Sequence, residues 1–271
     1  ELLTSKVTVA SQDGYTKFRG DGITVQDRTG ATRIALGRVD ELGQQTATFT
    51  RNSEAYTSDG QKVGVNQPRF EPGKFGQAVM VEEGTTNRII NALLVDSNSD
   101  GLADNWWQGN TTNRSCLNGV QTFTATARYG AVSREFNFGS ATGPWAFSVE
   151  IKGLDGYFVV YLYDANGNYL GNAASVHVNN DQIFTRVTCA TTRTDVRSVQ
   201  FRIEDLRSSG WTPISFRKPQ IEVGKAYATS FTDSTRSPET LTIPSSVLNP
   251  QEGAVECWVY LDGDILATSP A

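Results

Sequence analysis

Five short segments between residues 145 and 222 constrain the fold of this chain more than any other part of its sequence. Each is rich in β-branched and aromatic residues, and in most of them apolar and polar side chains alternate. The segments are Trp145–Lys152, Tyr157–Tyr163, Phe184–Cys189, Val199–Glu204 and Ile214–Glu222. Alternation with a period of two, interrupted by turn residues, is typical of antiparallel strands with one buried face. The sequence therefore predicts an all-β protein built around an antiparallel β-sandwich.

The composition favours strands and turns over helices. Of the 271 residues 25 are Gly, and no window keeps apolar residues at helical spacing. The formal net charge of -5 is the wrong sign for phosphate binding, so nucleic acid is not an expected partner. No run of about 18 apolar residues occurs, and we expect no insertion into a membrane.

The three cysteines, Cys116, Cys189 and Cys257, lie far apart in the sequence. Cys189 and Cys257 fall within strand patterns, which favours buried, reduced thiols. A disulfide between Cys116 and Cys189 is the alternative. Their spacing matches no metal site.

Alternation also divides each strand segment between an inner and an outer face. Trp145, Phe147 and Val149 lie on one side of their segment and are predicted to be core residues. Phe158 and Phe201 are predicted to face the core in the same way. The outward sets of several segments are predicted to meet on one surface, and their members are Tyr161, Tyr163, Glu150, Lys152, Gln200, Arg202 and Glu204. Aromatic rings stack on sugar C–H groups and fixed polar groups bind hydroxyls, so this mixture predicts a carbohydrate-binding surface. The alternative is a solvated sheet face, or one that residues 46–87 cover.

An oxygen-rich loop precedes these strands. Asp96, Asn98 and Asp100 occupy alternate positions, Gly101 follows, and Asp104 completes the loop. This spacing lets several oxygens surround one hard cation, and it resembles the calcium loops of thrombospondin-type and dockerin repeats, from which Asn98 departs. The loop predicts a structural Ca²⁺ site, with an Asx-rich turn as the alternative.

Candidate catalytic groups are sparse. The single histidine, His177, lies in a strand-like stretch, and no nucleophile elbow or phosphate-binding loop occurs. An active site needs a positioned acid, base or nucleophile. We therefore predict a protein that is not an enzyme.

Residues 1–45 are predicted to form a β-hairpin segment. Its arms are Ile23–Gln26 and Thr32–Leu36, and Asp27-Arg-Thr-Gly30 is the turn. The run from Gly20 to Gly37 resembles short hairpin units in tail and minor structural proteins of bacteriophages.

Residues 46–87 are predicted to form an extended β connector. Pro68 and Pro72 have no backbone N–H and therefore cannot donate hydrogen bonds to a neighbouring strand. The motif elements are Phe49-x-Arg51-x-Ser53, Asp59-Gly60, Asn66-x-Pro68-Arg69-Phe70 and Val81-Glu82-Glu83-x-x-x-Asn87. They resemble a segment of phage tail and tail-fibre proteins that precedes carbohydrate-binding-like modules.

Residues 88–235 resemble a carbohydrate-binding module of the β-jelly-roll, galactose-binding-like type. The residues that carry the resemblance are Trp145-x-Phe-Ser-Val-x-Ile-Lys-Gly153, Asp164-Ala-Asn-Gly-Asn168, Phe184-x-Arg-Val187 and Phe216-x-Lys-Pro-Gln-Ile-Glu-Val-Gly-x-x-Tyr-Ala-Thr-Ser-Phe231. Phe184 stands where many relatives carry Trp. Binding faces differ between such modules, so the resemblance assigns no ligand residue.

Residues 236–271 contain the run Pro238-Glu-Thr-Leu-Thr-Ile-Pro-Ser-Ser-Val-Leu-Asn-Pro-Gln-Glu-Gly-Ala-Val-Glu-Cys-Trp-Val-Tyr260. This run resembles the first strands of a concanavalin-A-like (laminin-G-like) domain. The stretch is too short for its own core, so we expect it to be extended or packed on the jelly roll. The chain begins at Glu1 and ends soon after this stretch begins, which suggests a fragment or a processed product.

Together these resemblances imply a non-catalytic tail component of a phage or prophage, located in the virion tail or outside the cell. It would bind host cell-surface polysaccharide through the outer face of the jelly roll and contact other tail proteins. A homotrimer is expected, because tail fibres are usually symmetric trimers. The alternatives are a purely structural tail assembly protein and an accessory sugar-binding module of a secreted bacterial polysaccharide-degrading enzyme.

Overall fold

The structure is a computed structural model that describes residues 6–11, 14–19, 22–27, 29, 32–36, 47–73 and 76–243. Twenty β-strands make up the regular structure of these ranges, which contain no helix. No helix of the described ranges could therefore cross a membrane. The chain divides into two compact units, whose described parts lie within 6–50 with 240–243, and within 51–239. The predicted all-β class is confirmed.

The smaller unit contains a four-stranded antiparallel meander. Its strands are β1 (Lys6–Ser11), β2 (Gly14–Arg19), β3 (Gly22–Asp27) and β4 (Thr32–Leu36), and each pairs with the next. The predicted hairpin corresponds to β3 and β4, where Ile23 lies opposite Leu36. A separate pair in this unit joins β5 (Thr48–Thr50) to β20 (Thr240–Thr242).

The larger unit holds the remaining strands. They are β6 (Ala55–Tyr56), β7 (Lys62–Val63), β8 (Arg69–Gly73), β9 (Gly76–Met80), β10 (Thr85–Thr86), β11 (Trp107–Gly109), β12 (Thr111–Leu117), β13 (Val120–Ala125), β14 (Ala131–Asn137), β15 (Trp145–Tyr163), β16 (Tyr169–Thr191), β17 (Ser198–Asp205), β18 (Ile214–Val223) and β19 (Thr235–Arg236). Three short antiparallel pairs, β6–β7, β8–β9 and β10–β19, stand apart from the main hydrogen-bonded sheet.

Two long strands, β15 and β16, each run through both layers of a sandwich. Residues 145–152 of β15 pair with β18 and with residues 185–191 of β16, whereas residues 156–163 pair with β17 and with the first part of β16. Sheet I therefore has the order β12-β13-β18-β15-β16, and sheet II has the order β11-β14-β17-β15-β16. The predicted antiparallel β-sandwich is confirmed.

The change of layer occurs at Gly153 and Gly156, where the register of β15 against β16 shifts. A Cβ atom on Gly153 would lie 3.0 Å from Cγ1 of Ile214, so a side chain there would meet the neighbouring strand β18. Glycine permits this close approach, and the bulge turns the strand from one sheet to the other.

The core lies between the two sheets and includes the predicted inward residues. Phe147, Phe158 and Phe201 are completely buried. Trp106, from the loop before β11, meets the Phe201 ring edge-on with centroids 5.9 Å apart. Burying each large apolar side chain contributes about 1.5–3 kcal/mol, so the alternating aromatic residues supply much of the stability.

Residues 51–87 belong to the same unit as the sandwich and pack on the end of β18. Asn87 donates to the carbonyl oxygens of Pro219 and Thr232 at 3.0 and 2.9 Å. Its side-chain oxygen accepts from the backbone amides of Ile89 and Ile221 at 3.0 and 3.1 Å. One buried amide therefore joins the segment before the sandwich to its closing strand.

Buried ion pairs fasten residues 51–87 to the segment that follows the sandwich. Glu239 accepts from Arg51 at 2.9 Å and from Nε and Nη2 of Arg69 at 2.9 and 2.7 Å. Glu82 pairs with Arg69 at 2.7 Å and also with Arg236. The sequence analysis assigned Arg51, Arg69 and Glu82 to a connector, and it assigned Arg236 and Glu239 to the start of a C-terminal domain. The structure has all five in one compact unit.

Cys116 and Cys189 are free thiols. Cys116 donates to the carbonyl of Leu94 at 2.9 Å. Burial raises the pKa of Cys116 to about 11 and that of Cys189 to about 12, so both remain protonated at neutral pH. Cys257 and the laminin-G-like resemblance beyond residue 243 lie outside the described residues.

Candidate functional site

The outer face of sheet II carries five of the seven side chains predicted to bind carbohydrate. Pairing between β15 and β17 places Tyr161 opposite Gln200 and places Tyr157 opposite Glu204. Tyr163 and Arg202 lie on the same side of these two strands, because directly opposed residues point to one face. The structure therefore brings together Tyr161, Tyr163, Gln200, Arg202 and Glu204.

A third tyrosine completes an aromatic cluster on this face. Tyr169, the first residue of β16, lies opposite Tyr163 and is 57% exposed. Its ring centroid is 6.0 Å from that of Tyr161 and 5.9 Å from that of Tyr163. The sequence interpretation missed Tyr169, although the Asp164–Asn168 turn could have placed it across the hairpin from Tyr163.

Polar side chains lie beside the three tyrosines. Glu135 of β14 is opposite Gln200, and Asn172 of β16 is opposite Tyr161 and accepts from the Tyr169 hydroxyl. We call this surface the tyrosine face, and it consists of Tyr161, Tyr163, Tyr169, Glu135, Asn172, Gln200 and Arg202. Its aromatic and polar groups lie on four adjacent strands, β14, β17, β15 and β16.

Arg202 is fixed in place at the edge of the tyrosine face. Its Nε donates to Glu204 at 2.6 Å, and its Nη2 donates to the carbonyl of Tyr129 at 2.7 Å. Burial raises the pKa of Glu204, while the neighbouring Arg202 opposes that rise. Burial also raises the pKa values of Tyr161 and Tyr163, so their hydroxyls remain neutral donors at physiological pH.

His177 lies toward the other end of the same sheet. Its ring stacks on Tyr157 with centroids 4.7 Å apart, and its Nε2 is 3.0 Å from Oδ1 of Asp155. The imidazole is exposed. Trp107 of β11, 42% exposed, adds an aromatic side chain on the far edge of this sheet.

Glu150 and Lys152, the other two predicted binding residues, lie on the outer face of sheet I. Glu150 accepts from Arg217 at 2.6 Å and from Lys218 at 2.9 Å. The ammonium of Lys152 is 5.3 Å from the ring centroid of Phe184. The structure therefore does not bring Glu150 and Lys152 to the tyrosines, and their part in sugar binding stays a prediction.

The Asp96–Asp104 loop is held by its own hydrogen bonds. The carboxylate of Asp96 accepts from the amides of Asp100 and Gly101, at 3.3 and 3.0 Å. Asp104 accepts from the amide and hydroxyl of Ser97 at 2.9 and 2.7 Å. The side chain of Asn98 donates to Asp100 at 3.0 Å.

These hydrogen bonds direct the loop oxygens to backbone and side-chain donors of the loop itself. In the described part of the chain, no group of three or more His, Cys, Asp or Glu side chains is arranged to hold a metal ion. Calcium binding by Asp96, Asn98, Asp100 and Asp104 stays a prediction.

No family model matches the chain, and no curated protein matches it. Among solved structures, the chain is similar to the enzymatically active domain of tailspike protein 4 from bacteriophage CBA120, with a TM-score of 0.38, 8% identity, and coverage of 51% of this chain and 21% of that one. The chain thus spans about a fifth of the length of that tailspike domain.

Two carbohydrate-binding modules of family 29 show a similar level of likeness. One, in complex with mannohexaose, has a TM-score of 0.37 and 16% identity, with 54% of this chain and 96% of that chain covered. The other, CBM29_1 from Piromyces equi, has a TM-score of 0.34 and 17% identity, with coverage of 52% and 86%.

Proposed function

We propose that the larger unit binds carbohydrate, without catalysis, through the tyrosine face. The observation that supports this most directly is the contact of three tyrosine rings, Tyr161, Tyr163 and Tyr169, beside fixed polar side chains on one sheet surface. A sugar has apolar C–H faces and a rim of hydroxyls, and it needs both kinds of group in one place.

The side chains of the tyrosine face would lose little conformational entropy when a sugar binds. The Tyr169 ring is exposed, while Tyr161 and Tyr163 are half-buried and held by strand pairing. Arg202 is already tied to Glu204 and to the carbonyl of Tyr129, so a sugar would not have to immobilise it. Preorganised groups lose less conformational entropy on binding than mobile ones.

We further propose that the ligand is a host cell-surface polysaccharide and that the protein is a tail component of a phage virion, acting outside the host cell with other tail proteins. The resemblance of residues 20–37 and 49–87 to tail proteins supports this setting. A homotrimer is expected on the same ground, and light scattering of the 271-residue chain tests it, since a monomer would contradict the assignment. The alternatives remain a purely structural tail protein and an accessory module of a polysaccharide-degrading enzyme.

A glycan array probed with the full 271-residue chain tests the proposed binding, and Tyr161→Ala and Tyr163→Ala are the informative variants. Each ring is expected to contribute about 0.5–1.5 kcal/mol, so each variant should bind a responding glycan about 2- to 10-fold more weakly. Isothermal titration with that glycan gives the dissociation constants.

The control for these variants is Phe70→Ala. Phe70 is an aromatic residue of β8, 51% exposed, on a strand pair outside the sandwich sheets. Its removal should leave binding unchanged. Absence of binding to every glycan would contradict the proposal, and so would equal losses in the tyrosine variants and in Phe70→Ala.

A further inference from the structure

The centre of the tyrosine face contains side chains that point outward and are nevertheless buried. Gln200 of β17 is only 8% exposed, and it lies between Glu135 on one neighbouring strand and Tyr161 on the other. Ser133, two residues before Glu135 on the same side of β14, is completely buried. The taller side chains around Gln200 therefore enclose a shallow depression, and the Gln200 amide lies at its floor.

Two polar groups of this floor have no hydrogen-bond partner among the described residues. The Ser133 hydroxyl is one of them. The side-chain amide of Gln200 is the other, and it offers an acceptor oxygen and two donor hydrogens. Buried polar groups normally have partners, because an unsatisfied one loses its hydrogen bonds to water without replacement. A polar ligand above Gln200 would supply the partner that the described part of the chain does not.

Glu135 gives the depression a negative charge. It is exposed, and in the described ranges its carboxylate has neither an ion pair nor a hydrogen bond. Tyr161 and Tyr163 experience the charges of Glu135, Glu204 and Arg202. Arg202 and Glu204 form an ion pair at 2.6 Å and neutralise each other. The unpaired charge of these three groups is therefore the carboxylate of Glu135.

Three tyrosine rings lie across Gln200 from this carboxylate. The Tyr169 ring is inclined by 69° to that of Tyr161 and by 59° to that of Tyr163, so the three π faces point in different directions. The negative π face of an aromatic ring attracts a cation, and clusters of such rings bind ammonium groups. Two strand spacings, about 10 Å, separate the backbones at Glu135 and Tyr161. One sugar ring above Gln200 would therefore reach both the carboxylate and the rings.

We infer that the tyrosine face recognises an amino sugar whose amine is free and protonated, and that Glu135 is the residue that determines this specificity. The ammonium group would donate to the Glu135 carboxylate, the sugar ring would contact Tyr161, and Gln200 would hydrogen-bond a neighbouring hydroxyl. The carboxylate of an acidic sugar would be repelled by Glu135. The inference rests on the proposed carbohydrate binding and specifies the class of sugar that is bound.

The full 271-residue chain is titrated calorimetrically with three probes of equal length: a glucosamine oligosaccharide, its N-acetylated form and an oligogalacturonate. The titrations are made at about pH 6, where primary amines are protonated. The glucosamine probe is expected to bind about 5-fold or more tightly than the N-acetylated form, and its affinity should fall as salt is added. Equal or tighter binding of either other probe, or no binding of the glucosamine probe, would overturn the inference.

Glu135→Gln tests the residue that is assigned to the amine. The variant keeps the size of the side chain and removes its charge, so glucosamine binding should weaken about 5-fold or more, while binding of the N-acetylated probe should hardly change. The control is Glu54→Gln, which removes an exposed glutamate that pairs with Lys62 outside the sandwich sheets. An unchanged preference for glucosamine in Glu135→Gln would contradict the role of Glu135.

Tyr161→Ala distinguishes a failure of this inference from a failure of the proposed function. If Tyr161→Ala weakens binding of an array glycan while the glucosamine and N-acetylated probes bind equally, carbohydrate binding by the tyrosine face stands and the preference for an amino sugar is wrong. Normal glucosamine binding in both Tyr161→Ala and Glu135→Gln would mean that the amino sugar binds elsewhere, which overturns the inference. Melting temperatures of all variants confirm that each one is folded.

Discussion

At the scale of single residues, Glu82 is a charged side chain that stabilises the fold, because it forms ion pairs with Arg69 and Arg236. Burial alone raises its pKa, but the guanidinium groups of Arg236 and Arg69, with the Ser230 hydroxyl, lower the pKa to about 2. In the sequence, Glu82 belongs to the motif that resembles a segment of phage tail proteins. The structure supplies a reason for the motif, since its charged residues Arg51, Arg69 and Glu82 form one buried network.

This network predicts a loss of stability in acid. The folded state holds the pKa of Glu82 at about 2, below the value of 4.5 that is usual for a glutamate, so between these two pH values the folded protein binds fewer protons than the unfolded chain. The stabilisation is complete above about pH 4.5 and disappears as the pH falls toward 2, with a total of about 3 kcal/mol. Urea unfolding at a series of pH values measures the change.

Glu82→Gln should flatten the acid limb of that profile and lower the stability at neutral pH. Glu54→Gln is the matched control, because Glu54 forms an exposed pair with Lys62 and such pairs contribute at most about 1 kcal/mol. An acid limb of the same steepness in Glu82→Gln would show that other carboxyl groups cause it.

At the scale of elements, the strand β15 departs most clearly from the sequence interpretation. Alternation indicated two segments, Trp145–Lys152 and Tyr157–Tyr163, and the structure joins them into one strand that changes sheets at Gly153 and Gly156. Of the first part of β16, residues 169–180, the sequence indicated only a strand-like stretch around His177. This part pairs with β15 and brings Tyr169 and Asn172 to the tyrosine face.

The Asp96–Asp104 loop carries the prediction that belongs to this scale. If it binds calcium, adding CaCl₂ should raise the melting temperature, since a ligand at 100 times its dissociation constant stabilises by about 2.7 kcal/mol. Differential scanning calorimetry in CaCl₂ and in EDTA makes the comparison, with Asp100→Asn as the variant that should lose the response. Identical melting temperatures would identify the loop as an Asx-rich turn, which its internal hydrogen bonds already build.

At the scale of the molecule, the sandwich shares its unit with the segments on either side. The predicted domain 88–235 omits Asn87, which holds Pro219, Ile221 and Thr232, and also omits Arg236 and Glu239. Breaking buried ion pairs typically costs about 3–5 kcal/mol. We therefore expect residues 51–239 to be more stable than residues 88–235 by several kcal/mol in urea unfolding. Equal stability would show that the sandwich folds independently of residues 51–87.

The sequence by itself determined which side chains of each strand face the core. Phe147, Phe158 and Phe201 are buried as predicted, because alternation in an extended strand is a local property of the backbone. The same pattern marked Glu150 and Tyr161 as outward, and both lie on outer faces of the sandwich.

Only the tertiary structure decided that these outer faces are different ones. Glu150 pairs across to Arg217 in sheet I, whereas Tyr161 pairs across to Gln200 in sheet II. The neighbour of each strand is determined by hydrogen bonds to segments about 40 or more residues away in the sequence. Alternation with a period of two residues is a local pattern, so it does not identify that neighbour. The outward side chains therefore lie on two different sheet surfaces, where alternation alone indicated one.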